Sequence, residues 1–468
     1  MHRPRPVSCV PLLLAAAAYA GMAGAAERDP VATGHDSSLR TFRCTNGLPV
    51  ALDVRPGTRT VFMEIGVRAG SRDEPDGRAG LAHLLEHLRF KEGHGETGRT
   101  NPAFSGLRAS GAEINASTDF EQTEYHADVP ADRFEEGWRA LVGLVHGDAF
   151  TDEDVDRERN VVLQEVALGK TDPLAIMGYS VLHRLFPDDA LGQPVIGFRK
   201  TLNAVTAEDL RAFSNRFYVP ANMFAVVTGD VDLAFARRLV AETLGAMPAG
   251  TPRAPAPTPE PKREPLYRFK TLVQQSYLLT GAVTSGAQSP QAPSMELLSV
   301  ILGEGYSSRL RQRLVEKEAV SDEILSVSFL LSDIGGFGAG VAVAPDHADA
   351  AAAALREELA RLAREPVSQP ELDSARARLR AGILSGFQTN EGRAGFRARR
   401  LFLGEDPALA PYFGRLDALT PDDLLKTAAA SWGGEAGTAG GPMEIQVVPA
   451  RGLGKLFAAI QFLIFKRL

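Results

Sequence analysis

At 468 residues the chain is long enough for two or more domains, each with a sizeable core. Hydrophobic residues at 44% and charged residues at 23% are the proportions of an ordinary globular protein. The net charge is −7 and no Lys/Arg run occurs, so the chain has no electrostatic footprint for nucleic acid.

The first segment, residues 1–25, reads as a secretory signal peptide. Arg3 and Arg5 precede the apolar run Val10 to Ala20, and Ala23-Gly24-Ala25 resembles a small-residue cleavage site. The run is too short to span a bilayer. Its removal leaves Cys44 as the one cysteine, so no internal disulfide can form, and the core and a metal must hold an exported fold. Further on, Val50 to Val54 and Thr60 to Val67 look like paired strands around the turn Arg55-Pro56-Gly57.

Leu81-Ala82-His83-Leu84-Leu85-Glu86-His87 has the H-x-x-E-H order of inverted zinc peptidases. On a helix, Leu81, Leu84, Leu85 and Leu88 form one apolar stripe while His83, Glu86 and His87 point the other way. Two His one turn apart suit a tetrahedral Zn²⁺, and the Glu between them can act on a water at the metal. A third ligand must come from another element. Glu113 to Val129 reads as a second strand pair. After it, Glu158, Val161, Val162 and Glu165 share one helical face, where two carboxylates among Val residues need a cation or hydrogen bonds. Asp152 to Asp156 reads as a solvated acidic helix start.

Thr206 and Thr420 are each followed three residues later by Asp, a capping-box variant opening a helix. Each helix leads to an apolar strand, Met223 to Val227 and Met443 to Val448. Thr151-Asp152-Glu153-Asp154 similarly matches Ser368-Gln369-Pro370-Glu371. The offsets, 214 and 217, indicate one duplicated unit. The expected fold class is therefore α+β: two homologous sandwich units, each a mostly antiparallel sheet with helices on one face. Five Pro among residues 251–261 divide the units. The expected organisation is a metal-bearing domain over 38–250, a linker over 251–265, a metal-free domain over 266–450 and an apolar tail over 451–468. The ten-residue apolar stretch of that tail, Leu456 to Phe465, cannot span a membrane. Docking on the protein's own core or packing on a partner is favoured over contact with a membrane surface.

On these motifs the chain resembles the pitrilysin and mitochondrial processing peptidase family of inverted zinc metallopeptidases, especially its half-length bacterial members. Glu158-Arg159-Asn160-Val161-Val162-Leu163-Gln164-Glu165 matches the family's E-R-x-V-[IV]-x-x-E. The resemblance implies one zinc per chain on His83, His87 and Glu165, with Glu158 supporting the ligands and Glu86 as general base. Gly111-Ala112-Glu113-Ile114-Asn115-Ala116-Ser117-Thr118 resembles G-x-x-x-N-A-x-T, a segment that pairs with extended peptide, making Asn115 and Ala116 substrate-strand candidates. The implied activity is endopeptidase cleavage of short or unfolded peptides, and the implied location the periplasm, with secretion as the alternative.

The second unit repeats the fold without the site: Glu158 maps to Ala375 and Glu165 to Gly382. Residues 301–310 resemble G-x-G-x-S-S-R-L, which in many members continues to an Arg and a Tyr that bind the scissile carbonyl. Val315 stands where that Arg is expected and Asp322 where the Tyr is, and no Tyr occurs between Tyr306 and Tyr412. The expected assembly is a heterodimer with a metal-free family member supplying Arg and Tyr, with a homodimer as the alternative.

Overall fold

Four helices begin where a Ser or Thr is followed three residues later by an acid. The Thr206–Asp209, Ser368–Glu371 and Thr420–Asp423 pairs each form a reciprocal capping box. Thr151 and Asp154 exchange the same bonds, Asp154 N–H to Thr151 Oγ1 at 3.2 Å and Thr151 N–H to Asp154 Oδ2 at 2.8 Å. Each box satisfies amides that the first helical turn leaves unpaired. A computed structural model describes residues 34–90, 102–147, 150–169, 173–262, 264–271, 273–322, 324–438 and 440–450. The signal region 1–25 and the tail 451–468 lie outside the described residues.

In the first half, β1 (Leu39–Arg43), β2 (Pro49–Val54), β3 (Thr60–Val67), β4 (Glu113–Thr118), β5 (Thr123–Pro130) and β6 (Met223–Gly229) form one sheet, ordered β1-β2-β6-β3-β5-β4. Its longer helices are α1 (Leu81–Arg89), α2 (Pro102–Ala109), α3 (Phe134–His146), α4 (Asp152–Gly169), α5 (Pro173–Leu185), α6 (Ala207–Phe217) and α7 (Leu233–Glu242). In the second half, β7 (Leu266–Thr271), β8 (Ser276–Ser285), β9 (Ile324–Leu330), β10 (Ile334–Val343) and β11 (Met443–Pro449) are ordered β7-β11-β8-β10-β9. Here the helices are α8 (Ala292–Gly303), α9 (Ala348–Arg364), α10 (Gln369–Gly386), α11 (Asn390–Phe402), α12 (Leu409–Ala418) and α13 (Pro421–Trp432). All strand pairs are antiparallel except β2 with β6 and β7 with β11. The α+β duplication holds: both bounds of α4 and α5 recur in α10 and α11 at an offset of 217.

One local expectation fails. β2 and β3 do not pair; β6 lies between them, parallel to β2 and antiparallel to β3. Every residue of β6 is buried, so it takes the middle of the sheet, covered on both faces. The Arg55-Pro56-Gly57 turn is instead fastened to the end of β6, with Arg55 N–H on Gly229 O at 2.7 Å and Gly57 N–H on Asp230 Oδ2 at 3.0 Å.

Helices α1, α3, α4, α6 and α7 bury their apolar faces against one side of the first sheet, through residues such as Leu84, Trp138, Val162, Leu210 and Leu239. The opposite side is covered by the other half. Ala394, Ala398, Leu401 and Phe402 of α11 pack on Ala51, Phe62, Phe224 and Val226. The arrangement is reciprocal, since Val181, Leu182 and Leu185 of α5 join Tyr267, Met443 and Ile445 on the outer face of the second sheet. Ion pairs reinforce the exchange. Buried Asp53 of β2 accepts from Arg393 Nε at 2.7 Å and Arg397 Nε at 2.8 Å, both on α11. Residues 251–262, without regular structure, are tied down by Arg253, whose N–H bonds Asn222 and whose guanidinium meets Asp73 at 2.5 Å.

Under α11 lies an uncompensated acid. Glu64 of β3 is 4% exposed and its Oε1 has no hydrogen-bond partner. Burial, then the charges of Glu124 and Glu391, holds its carboxyl well above the ordinary range. Burial and the charge of Asp119 push Glu124 up to about 7. A folded-state pKa above the unfolded one gives stability that is complete at low pH and lost as pH rises through the folded value. Glu64→Gln should therefore match the wild type in unfolding free energy at pH 4 and exceed it at pH 8, by on the order of 1–3 kcal/mol. Equal pH slopes for both proteins would refute this account.

Candidate metal centre

The helix that carries the H-x-x-E-H residues starts without a capping side chain of its own. Gly80, at φ 93°, takes the N-cap position. A Cβ there would lie 2.6 Å from Ile196 O, so only glycine fits. Glu74 supplies the cap, its carboxylate accepting from Gly80 N–H at 2.9 Å and Ala82 N–H at 2.7 Å. Leu81, Leu84, Leu85 and Leu88 are fully buried, which fixes the rotation of the helix and turns His83 and His87 toward α4.

On α4, Glu165 comes to the two imidazoles: one donor atom from each of His83, His87 and Glu165 lies within 4.8 Å of the others. Among the described residues no other such group of His, Cys, Asp and Glu occurs. Glu165 Oε2 is 3.5 Å from His87 Nε2, and Glu158 Oε1 is 3.1 Å from His87 Nδ1. Glu158 is 5% exposed, about two helical turns before Glu165 on α4, and orients the ring from behind. Glu86 is also buried, and accepts a 2.6 Å hydrogen bond from Thr118 Oγ1 at the end of β4.

The protonation energetics point to a cation. Burial, then the neighbouring His87, pushes His83 down to about 3, leaving a neutral imidazole, the form that ligates metal. Its Nδ1 is buried with no protein partner. Burial would also lower His87, yet the hydrogen bond to Glu158 and the charges of Glu165 and Glu86 raise it overall. These carboxylates thus favour positive charge at that spot. Burial raises Glu86, with Thr118 and His87 offsetting part of the shift. Two imidazoles and one carboxylate are a zinc donor set that leaves a position open, and the residues fit that ion. Glu158→Gln should weaken zinc binding by roughly 10–100-fold while leaving the fold intact. A chelator-competition titration reads this, and unchanged affinity would remove Glu158 from the site.

Asn115 and Ala116 sit on β4, an edge strand whose one strand neighbour among the described residues is β5. Asn115 is exposed, Ala116 half-buried, and the Ala116 N–H is held by Asn115 Oδ1 at 3.0 Å. Thr118 was not singled out from sequence. The signal was alternation: Ile114, Ala116 and Thr118 face the helical layer, and a hydroxyl ending that row faces whatever polar group α1 presents. In the second half, Ala375 and Gly382 stand on α10 without a ligating side chain. Val315 lies in the helical segment Arg311–Lys317, and nearby Arg309 is engaged by Glu371 at 2.7 and 3.2 Å.

Residues 49–197 match a family model described as insulinase (peptidase family M16), and residues 204–379 one described as the peptidase M16 inactive domain. An uncharacterized zinc protease of Mycobacterium leprae is 31% identical over 346 residues, covering 73% of this chain and 77% of that protein. One of Streptomyces coelicolor is 29% identical over 402 residues, covering 84% and 86%. A protease from Helicobacter pylori shares the fold with TM-score 0.77 at 22% identity, covering 88% of this chain and 99% of that one. A structure from Pseudomonas fluorescens, described as a peptidase M16 inactive domain, gives TM-score 0.78 at 18% identity, covering 88% and 98%.

Proposed function

Because the chain belongs to the insulinase family of peptidases (M16), we propose that it is a zinc-dependent endopeptidase acting on short or unfolded peptides. The observation that carries this reading is the convergence of His83, His87 and Glu165 beside buried Glu86. Zinc bound there supplies Lewis acidity, polarising a peptide carbonyl and making water nucleophilic near neutral pH. Glu86 accepts the proton of the attacking water and returns it to the leaving amine. Glu158 keeps the His87 ring in its ligating orientation. The edge of β4, unpaired among the described residues, offers main-chain groups to an extended peptide, with Asn115 and Ala116 at the contact. Hydrolysis of a quenched fluorescent peptide mixture by the zinc-loaded mature chain tests the reading. Turnover that Glu86→Gln or chelation abolishes supports it; turnover indifferent to both overturns it.

Val315 and Asp322, standing where many relatives carry a carbonyl-binding Arg and Tyr, support a second element of the proposal. The chain is the metal-bearing subunit of a heterodimer whose metal-free partner brings that pair, with a homodimer as the competing assembly. Mild copurification should recover a second family member; a lone, fully active species would refute it. The signal-like residues 1–25 support export, to the periplasm or to the medium. A non-catalytic assembly role is the alternative function, and the intact donor set weighs against it.

A further inference from the structure

Among the described residues the second half contributes none of the three donors, yet it grips the loop beside the general base. Asp333, in the turn between β9 and β10, receives both Arg72 Nη atoms, at 2.7 and 3.0 Å. Arg72 Nη1 also reaches Glu121 Oε1 at 3.1 Å. The other oxygen of Glu121 accepts from Ser332 N–H at 2.7 Å and Ser332 Oγ at 3.0 Å. The side chains of Arg72 and Glu121 are 3% and 4% exposed, so these are desolvated, charge-assisted bonds.

Glu121 belongs to residues 119–122, the loop joining β4 to β5. Asp119 Oδ1 closes that loop by accepting from Glu121 N–H at 2.6 Å and Gln122 N–H at 2.8 Å. Ser71 N–H and Arg72 N–H bond the carbonyls of Asp119 and Phe120 at 3.0 and 2.9 Å. At Gly70 a Cβ would lie 2.3 Å from Asp119 O, so the two segments are in direct backbone contact. Thr118, immediately before the loop, is the residue whose hydroxyl meets Glu86 Oε2 at 2.6 Å.

Resting on the peptidase reading, we propose that the metal-free half positions the general base. Asp333 and Ser332, through Arg72 and Glu121, fix the 119–122 loop, and Thr118 thereby holds the Glu86 carboxylate in its proton-transfer orientation. Thr118 is a positioning residue, and Asp333 acts through it. The metal-free unit contributes to turnover in cis, whatever subunit joins the chain.

A double-mutant cycle on the zinc-loaded protein, with any copurifying subunit retained, tests this. Thr118→Val should lower kcat by roughly 10–100-fold, the worth of a hydrogen bond to a charged group, with KM and zinc content unchanged. Thr118→Ser should restore most of the rate. Asp333→Asn should lower kcat by roughly 2–30-fold and lose no further activity in the Thr118→Val background. Independently of catalysis, Asp333→Asn should speed amide hydrogen exchange across residues 119–122 without lowering exchange protection in α1. Multiplying rate losses, a wild-type kcat in Thr118→Val, or unchanged loop exchange would each overturn the proposal. A zinc-loaded chain that hydrolyses no peptide with its copurifying subunit retained, or whose turnover is indifferent to both chelation and Glu86→Gln, would instead sink the peptidase reading.

Discussion

Glu86→Gln should abolish most turnover, by roughly 10²–10⁴-fold, while zinc stoichiometry and melting temperature stay at wild-type values. Glu86 is not among the three convergent donors, so its replacement leaves the ligand set whole. Gln has nearly the same shape and can still accept the Thr118 hydroxyl through its amide oxygen. What it cannot do is bind and release a proton. Because Glu86 is buried, no bulk water stands in readily for the lost base. Zinc analysis paired with peptide hydrolysis separates this from loss of the metal. A variant that keeps zinc and full turnover would show that another group carries the proton.

Asp53→Ala is expected to produce the largest stability loss, ~3–5 kcal/mol in chemical denaturation. Asp53 is fully buried and holds two guanidiniums that are themselves 5% and 0% exposed, Arg393 and Arg397. Ser38 Oγ donates to its other oxygen at 2.5 Å. The hydrogen bonds from Arg393, the charge of Arg397 and the bond from Ser38 overcome the effect of burial and hold the carboxyl below its ordinary range. Truncation strands positive charge where water cannot reach it. Asp36 and the carbonyls of His35 and Pro407 retain part of the Arg contacts, which caps the loss. A cost below about 1 kcal/mol would mean that these remaining partners suffice.

The features legible in the sequence are those written in short-range spacing. His83 and His87 are one helical turn apart, Glu158 and Glu165 share a face of α4, and Thr-x-x-Asp or Ser-x-x-Glu marks a helix start. These patterns are local and were readable to within a residue or two. The insertion of β6 between β2 and β3 was not, because strand pairing across roughly 170 positions leaves no mark in neighbouring residues. Nor was the covering of each sheet by a helix of the other unit. The Ala and Phe residues of α11 and the aliphatics of α5 do not say in sequence which core they enter. Nothing in the neighbouring residues of Asp53 and Glu64 marks them for burial, and only the α11 overlay makes them buried. Thr118 stood in the quoted strand motif, but its partner lies 32 positions away on another element.

The reciprocal overlay of α5 and α11 also bears on how the molecule comes apart. A chain cut at the Pro-rich segment would give two fragments, each missing the helix that shields one side of its sheet and each carrying a helix with no surface to cover. Expressed singly, both should be prone to self-association through bare apolar faces. Coexpressed, they should reassemble without a covalent link. In the intact protein, loss of either half unroofs the other, so calorimetry should record one cooperative melting event for a chain that sequence repeats divide in two.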